Sequence, residues 1–315
     1  MLKYLIVQLD DSSVSFCHYT NDLKATKLIA TEILEKAVIW AMKENLTIQY
    51  LYPSYALPSE YAQIIGKTYH ADIVPSNCED TALLADADVV VYDNWQAFIN
   101  ADYLDEQAYV IRTSIADLLA NCDALCSVMP KLNRLNVVIA DVADFSQEAD
   151  YAKFLDRLAK AVAEEYKNGH AAQINLLTDR IFLDSMNNCN AGDETITLAP
   201  DGRFYICPAF YSDGENGYAV GDIESGLDIR NRQLYGLKFA PICRECDAFQ
   251  CRRCVWLNRK LTLEVNTPSR QQCVMAHLER NASQALSAQI ADYVPTKEIP
   301  EIDYLDPFEL VIKNK

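Results

Sequence analysis

The sequence lacks the features of membrane, secreted and nucleic-acid-binding proteins. Its 315 residues contain no apolar run near the roughly 18–20 residues that a membrane span needs. The net charge is −17, so the basic face typical of a nucleic-acid-binding protein is not expected. The opening residues MLKYLIVQLDD place acids directly after a short apolar run, which is unlike a signal peptide. We therefore expect a cytoplasmic protein with neither a membrane nor a nucleic-acid partner.

Several common catalytic motifs are also missing. The chain has no Gly-rich phosphate loop, no G-x-S-x-G and no H-E-x-x-H. Its four histidines are scattered, and glycine and proline are not enriched. The sequence therefore gives no catalytic residue for the familiar hydrolase or nucleotide-binding classes.

Strands and helices alternate through the first half of the chain. Short apolar runs predict strands at 4–9, 47–52, 71–75, 88–93, 108–113, 136–141 and 172–177. Apolar residues at helical spacing predict helices at 23–43, 59–66, 115–132 and 147–167. This alternation is typical of a parallel sheet with helical crossovers, so the fold class is α/β. A partial (β/α) barrel and an open parallel sheet both fit, and in each a ligand would bind at the carboxyl ends of the strands.

The alternation of predicted strands and helices gives way near residue 185 to a cysteine-rich stretch, and this change predicts three segments. Residues 1–184 form the α/β partial-barrel domain, 185–290 a small cysteine-rich metal-binding domain, and 291–315 an extended tail. Pro200-Asp201-Gly202 predicts a hairpin that ends at Cys207. A helix is expected over 267–290, with Thr267 as its N-cap.

Seven of the chain's eleven cysteines lie in this second segment. Cys243, Cys246, Cys251 and Cys254 have the spacing C-x2-C-x4-C-x2-C. Two such closely spaced pairs are a strong sign of a metal centre, because thiolates bind zinc and iron–sulfur clusters well. Disulfides would require an oxidising compartment, which nothing in the sequence supports. A metal centre is therefore the preferred interpretation of the cysteines.

The full pattern resembles the SPASM domain of radical S-adenosylmethionine (SAM) enzymes that mature ribosomal peptides. It comprises seven cysteines and the step from Gly202 to Cys207: Cys189, Cys207, Cys243, Cys246, Cys251, Cys254 and Cys273. The last two gaps of the central block are each one residue shorter than in the SPASM pattern. The resemblance implies up to two auxiliary 4Fe–4S clusters.

The resemblance also implies a division of the ligands. Cys243, Cys246, Cys251 and Cys273 would bind one cluster completely. The other site, with Cys189, Cys207 and Cys254, would need a fourth ligand or keep an open position. The rival interpretation is a compact zinc site of Cys243, Cys246, Cys251 and Cys254, which leaves three cysteines unexplained.

The cysteine block lies in the one basic stretch of an acidic chain. Residues 230–270 contain nine Arg or Lys and three Asp or Glu. Arginines between the cysteines could donate hydrogen bonds to sulfur and offset the negative charge of a thiolate-bound metal; they are Arg244, Arg252, Arg253 and Arg259. A solvated basic face is the alternative.

The radical SAM motif C-x3-C-x2-C is not present. Cys122 and Cys126 have its first spacing, but Met129 occupies the third position. Since residues i and i+4 share a helix face, buried helix cysteines explain this pair better. The chain as a whole resembles the CXXX repeat peptide maturase family, whose members lack that motif; LKYLIVQLDDSSVSFCHY (2–19) and CVMAHLERNAS (273–283) carry the resemblance.

The resemblance implies maturation of a ribosomally made, cysteine-containing peptide. Either the protein modifies the precursor peptide with its auxiliary clusters, or it holds the peptide for a partner maturation enzyme through structural iron–sulfur or zinc sites. A zinc-stapled protein of unrelated role is the third hypothesis. No catalytic residue is assigned.

Overall fold

The computed structural model describes residues 1–21, 26–214, 218–251 and 253–294. The chain divides into two compact units, each made of two chain segments. Unit 1 comprises Met1–Tyr92 and Cys189–Gly236, and unit 2 comprises Asp93–Asn188 and Leu237–Lys315. These are units of internal contact, so the segment boundary expected after residue 184 stays a prediction. The expected tail, 291–315, lies outside the described residues except for 291–294.

The described helices and strands follow one another in chain order. The first segment contains β1 (Tyr4–Gln8), α1 (Thr31–Glu44), β2 (Thr47–Leu51), α2 (Ser59–Ile65), β3 (His70–Pro75), α3 (Thr81–Asp86) and β4 (Val89–Tyr92). The second contains α4 (Trp95–Ile99), β5 (Ala108–Thr113), α5 (Ile115–Ala120), α6 (Cys122–Val128), β6 (Arg134–Ile139), α7 (Glu148–Lys167), β7 (Gln173–Ile174) and α8 (Thr178–Phe182). The third contains β8 (Thr195–Leu198), β9 (Arg203–Tyr205), α9 (Pro208–Ser212), β10 (Ala219–Asp222) and β11 (Gly226–Leu227). The last contains α10 (Val255–Thr262) and α11 (Arg270–Ile290).

Unit 1 is built on a mixed sheet with the strand order β11-β10-β9-β8-β1-β2-β3-β4. Strand β1 is parallel to both neighbours, β2 and β8, while β8 to β11 pair antiparallel. Leu5, Val7 and Leu9 of the first strand region are fully buried. This burial on a parallel ladder explains why β1 appears in the sequence as a continuous apolar run instead of an alternating one.

Unit 2 contains the parallel strands β5, β6 and β7, in that order. The long helix α7 packs against α11, and its buried stripe includes Tyr151, Leu155 and Val162. Alternating strands and helices in both units confirm the α/β fold class. None of the helices that the structure describes is both long enough and apolar enough to cross a membrane.

Two expected elements are shorter than their sequence patterns. The helix expected over 23–43 begins at Thr31, because Ile29 donates a backbone hydrogen bond to Leu9 instead of continuing a helix; residues 22–25 lie outside the described part. The strand expected over 172–177 pairs only at Gln173–Ile174. Beyond it, the Asn175 side chain bonds both backbone groups of Val137, and so replaces the strand ladder.

The turn at Gly202 supports a first prediction on stability. Gly202 has φ +82°, and an added Cβ would lie 3.1 Å from the Ile33 side chain. Gly202→Ala is therefore expected to lower the free energy of unfolding by about 2 kcal/mol, through backbone strain and crowding together. Gly169→Ala is the matched control, since Gly169 has φ +87° with nothing within 4 Å of the added carbon. Equal losses in the two variants, measured by urea unfolding, would show that contact with Ile33 contributes nothing.

Candidate metal centre

Four of the seven cysteines singled out by the sequence line one cavity in unit 2. Cys243, Cys246 and Cys251 come from the loop before α10, and Cys273 comes from the first turn of α11. His277, one turn further along α11, completes the thiol-rich wall. The space between these side chains is partly open to solvent. The cavity brings together the complete set of four ligands that the SPASM resemblance implied.

Helix α11 supplies a rigid wall because its start is well defined. Ser269 caps the helix: its hydroxyl accepts a hydrogen bond from the Gln272 backbone N–H, and the Gln272 side chain bonds Ser269 in return. This capping box fixes the first turn, which carries Cys273. The expectation that Thr267 caps the helix is wrong by two residues, since Pro268 lies outside the helix and lines the cavity instead.

One buried ion pair fastens the cysteine loop to the helices of unit 2. Arg180 on α8 and Glu279 on α11 are each only 1 % exposed and lie 2.5 Å apart. Arg180 also donates to the backbone carbonyl of Gln250, the residue before Cys251. The Tyr151 hydroxyl donates to the second oxygen of Glu279 at 2.5 Å. The loop's backbone is therefore held by a charged network that is closed to water.

A second buried ion pair fastens the same loop at Asp247. Arg280 of α11 bonds Asp247 at 2.7 Å, and both side chains are buried. Asp247 directly follows Cys246 in the chain. The sequence patterns singled out neither ion pair, because partners 33 and 99 residues apart leave no local spacing signal.

Several donors surround the sulfur atoms. The backbone N–H of Arg253 donates to Cys251 Sγ at 3.1 Å, and that of Ala248 donates to Cys246 Sγ at 3.5 Å. His277 Nε2 lies 3.6 Å from Cys246 Sγ. Hydrogen bonds of this kind stabilise thiolates and tune the metal that they bind.

Burial dominates the ionisation of these thiols. It raises the pKa of Cys243 to about 11, although the Arg253 guanidinium opposes the shift. Burial also raises the pKa of Cys246, against the opposing N–H of Ala248. For Cys251, burial and then the neighbouring thiols raise the pKa well above its usual value. A bound cation would reverse this preference, since metal binding displaces the thiol protons.

The basic stretch is divided between the cavity and the surface. Arg253 is buried and lines the cavity. Arg244 is exposed and forms an ion pair with Glu245 at 3.2 Å, and Arg259 is exposed as well. Arg252 lies outside the described residues. Of the four arginines expected near sulfur, the described structure puts only Arg253 in the wall of the cavity.

The other three predicted ligands lie elsewhere. Cys254 precedes α10 and is half-buried, while Cys189 and Cys207 belong to unit 1. Cys189 is exposed, and Cys207 is buried at the start of α9. Within the described ranges, no group of three or more His, Cys, Asp or Glu side chains surrounds a single ion position.

The Cys122 and Cys126 pair lies on helix α6, as the sequence pattern indicated. Cys122 is buried, Cys126 is half-buried, and burial raises the pKa of both thiols. The helix turns both side chains to one face, and α6 packs against α7. These two cysteines are therefore part of the packing of unit 2.

The carboxyl end of β1 carries a separate polar cluster within unit 1. The Tyr211 hydroxyl donates to Asp11 at 2.5 Å, and the Tyr205 hydroxyl donates to Asp201 at 2.8 Å. Burial raises the pKa of Asp11, against the hydrogen bond from Tyr211. No sequence pattern predicts this contact, because Tyr211 lies 200 residues from Asp11 in the chain.

These observations define an α/β protein with parallel strands and a thiol-lined cavity beside its last long helix. Its fold is that of anSMEcpe, an anaerobic sulfatase-maturating enzyme of the radical SAM/SPASM class. Hexahistidine-tagged anSMEcpe with bound AdoMet matches at a TM-score of 0.65 and 15 % identity, covering 93 % of this chain and 99 % of that chain. Native anSMEcpe with bound AdoMet and Cp18Cys peptide matches at 0.62 and 14 %, covering 93 % and 100 %. No protein-family model matches the sequence, and no curated protein matches it.

Proposed function

We propose that this protein takes part in the maturation of a ribosomally made, cysteine-containing peptide and binds a 4Fe–4S cluster for that purpose. The cluster ligands would be Cys243, Cys246, Cys251 and Cys273. The observation that carries the proposal is the convergence of these four thiols on one cavity. The two segments that supply them are separated by 21 intervening residues, so local spacing alone does not produce the grouping.

The residues around the cavity fit an iron–sulfur cluster. Four cysteine thiolates are the usual ligand set of a 4Fe–4S cluster. They lie around the whole cluster instead of around one metal ion. The four thiols here line one shared cavity, and two of their sulfurs accept backbone N–H bonds. The rival zinc set exchanges Cys273 for Cys254, which does not line the cavity. A bound cluster would supply one-electron transfer at this position.

The peptide substrate is inferred from the fold and from the resemblance of the sequence. Native anSMEcpe, which shares the fold, has been solved with bound Cp18Cys and Kp18Cys peptides. The sequence resembles the CXXX repeat peptide maturases along most of its length. We propose that a peptide with repeated cysteines is the partner, and that a cysteine thiol of the peptide is the group brought to the site.

A second candidate function is peptide binding or delivery to a partner maturation enzyme. It is favoured by the missing C-x3-C-x2-C motif, since Cys122 and Cys126 belong to a packed helix. In this case the metal centre would be structural. In both candidate functions the protein would have no radical SAM chemistry of its own. A synthetic peptide of C-x-x-x repeats distinguishes the two functions. Binding followed by a change in peptide mass under reducing, anaerobic conditions supports catalysis, whereas binding without a mass change supports delivery.

A second cluster at Cys189, Cys207 and Cys254 remains part of the proposal. It rests on the SPASM pattern alone, which leaves its fourth ligand open. Cys207→Ala tests it, because this cysteine is not a ligand of the first site. If two clusters bind, the variant should lose about four of about eight irons; if only one binds, its iron content should stay at about four.

The first experiment is elemental analysis of the anaerobically purified protein. We expect a brown protein with at least about four irons and as many acid-labile sulfides per chain, and with less than about 0.2 equivalents of zinc. A colourless protein containing about one zinc per chain would support the zinc site and contradict the cluster. The identity and the amount of bound metal therefore distinguish the iron–sulfur cluster from the zinc site before any activity is known.

A further inference from the structure

An imidazole lies in the wall of the thiol-lined cavity. His277 is one helical turn beyond Cys273 on α11, so the two side chains share a helix face, and both line the cavity. His277 is only 4 % exposed, and its Nε2 lies 3.6 Å from Cys246 Sγ. Helix α11 therefore brings one assigned ligand to the cavity and places an imidazole nitrogen beside the sulfur of another.

The imidazole is the donor in this contact once a metal is bound. A metal-bound thiolate has lost its proton, so its sulfur can only accept a hydrogen bond. A neutral imidazole carries one N–H, and the tautomer with this proton on Nε2 directs it at Cys246. Because sulfur is a larger atom than oxygen, 3.6 Å is a hydrogen-bonding distance here.

Donors and positive charge converge on the Cys246 sulfur. The backbone N–H of Ala248 lies 3.5 Å from it, and the imidazole adds a second donor from a different chain segment. Burial and the Asp247 carboxylate raise the pKa of Cys246, while the Ala248 N–H and the charges of Arg280 and Arg180 oppose that shift. Negative charge added at this sulfur is therefore stabilised from both the cysteine loop and the helices.

We propose that His277 raises the reduction potential of the bound cluster by donating a hydrogen bond to Cys246 Sγ. The inference rests on the proposed function, because it requires a 4Fe–4S cluster in this cavity. One-electron reduction by a low-potential donor adds one negative charge, part of which falls on the cysteine sulfurs. A hydrogen bond to sulfur therefore stabilises the reduced form more than the oxidised form. His277 acts through Cys246, so it is a positioning residue.

The rival role for His277 is that of a metal ligand, since a sulfur and a nitrogen bound to one ion also lie about this far apart. Four thiols already complete the ligand set of a 4Fe–4S cluster. In the part of the chain that the structure describes, no three His, Cys, Asp or Glu side chains surround a single ion position. The two roles differ in their consequence: loss of a donor leaves the metal bound, whereas loss of a ligand releases it.

A redox titration of the full-length holoprotein tests the proposal, with dithionite as reductant and the electron paramagnetic resonance of the reduced cluster as readout. All samples carry Cys207→Ala, so that a second cluster adds no signal. We expect His277→Leu to keep its iron. Its equilibrium constant for reduction should fall about tenfold, which makes the potential about 59 mV more negative.

Conservative variants show whether the hydrogen bond causes the shift. The side-chain amide of Gln can place an N–H where Nε2 lies, so His277→Gln should recover more than half of the shift. The amide of Asn is shorter and reaches only the Nδ1 position, so His277→Asn should behave like His277→Leu. His170→Leu, at a histidine of unit 2 outside the cavity wall, is the matched control and should leave the potential unchanged.

The outcomes separate this inference from the proposed function. A negative shift in His277→Leu that His277→Gln reverses supports the hydrogen bond. If the leucine variant does not fold, the same difference between His277→Asn and His277→Gln decides. An unchanged potential overturns the inference alone, as does loss of iron from both His277→Leu and His277→Gln, which would make His277 a ligand. An unmodified protein without iron overturns the proposed function together with this inference.

Discussion

Cys273→Ala is expected to remove the metal from the thiol-lined cavity and to lower the iron content by about four atoms per chain. The visible absorbance should fall in proportion. The change acts on the ligand and not on the helix, since alanine is the best helix former and Ser269 still caps α11. Anaerobic purification followed by iron and sulfide analysis measures the effect.

The same variant decides between the two ligand sets. A zinc site of Cys243, Cys246, Cys251 and Cys254 would keep its metal when Cys273 is replaced. Cys126→Ala is the control, because Cys126 is also a helix cysteine but lies on α6, away from the cavity. If both variants keep their full metal content, the assignment of Cys273 as a ligand is wrong.

The sequence indicated which cysteines line this cavity better than it indicated what holds them in place. Short cysteine spacings are local, and they identified Cys243, Cys246 and Cys251 directly. Cys273 was added through the resemblance to the SPASM pattern, and the described structure brings it to the same cavity. No sequence pattern identified Arg180 and Glu279. Their burial depends on the packing of α8 against α11, which the local sequence does not report.

The fold was predictable wherever burial leaves a continuous pattern. The first six expected strands each overlap a described strand, because both faces of a parallel sheet are covered and its residues are nearly all apolar. Helix α3 and helix α4 were missed. Each is a single short element whose start depends on an N-cap, Asp80 or Asn94, instead of on an amphipathic stripe.

The pairing of distant chain segments could not be predicted, for a physical reason. Strand β8 pairs with β1, although almost 190 residues separate them, and so residues 189–236 belong to the same unit as residues 1–92. Local composition indicates that the pattern changes near residue 185. It does not indicate which strand the next segment pairs with.

Arg180→Met is expected to destabilise the part of unit 2 that supports the cysteine loop by about 3–5 kcal/mol. The substitution removes the guanidinium that pairs with the Glu279 carboxylate, which is 1 % exposed. It also removes the donor to the backbone carbonyl of Gln250. Native-state hydrogen exchange at the α11 amides measures the local opening free energy without requiring that both units unfold together.

A double substitution separates the charge effect from packing. Arg180→Met with Glu279→Leu removes both charges, so it should recover much of the loss that the single change causes. Lys153→Met removes one partner of the exposed Lys153–Asp150 pair, and it should cost less than about 1 kcal/mol.

The network should also govern how firmly the loop holds its metal. Because Arg180 binds the carbonyl next to Cys251, the single variant should lose iron to a chelator faster than the unmodified protein. The double variant leaves Gln250 without its donor, so it should regain opening free energy yet still lose iron quickly. If Arg180→Met opens and releases metal no faster than Lys153→Met, the buried pair neither stabilises unit 2 nor positions the loop. Slow release from the double variant alone would show that the loop is held by burial around Cys251 and not by the guanidinium.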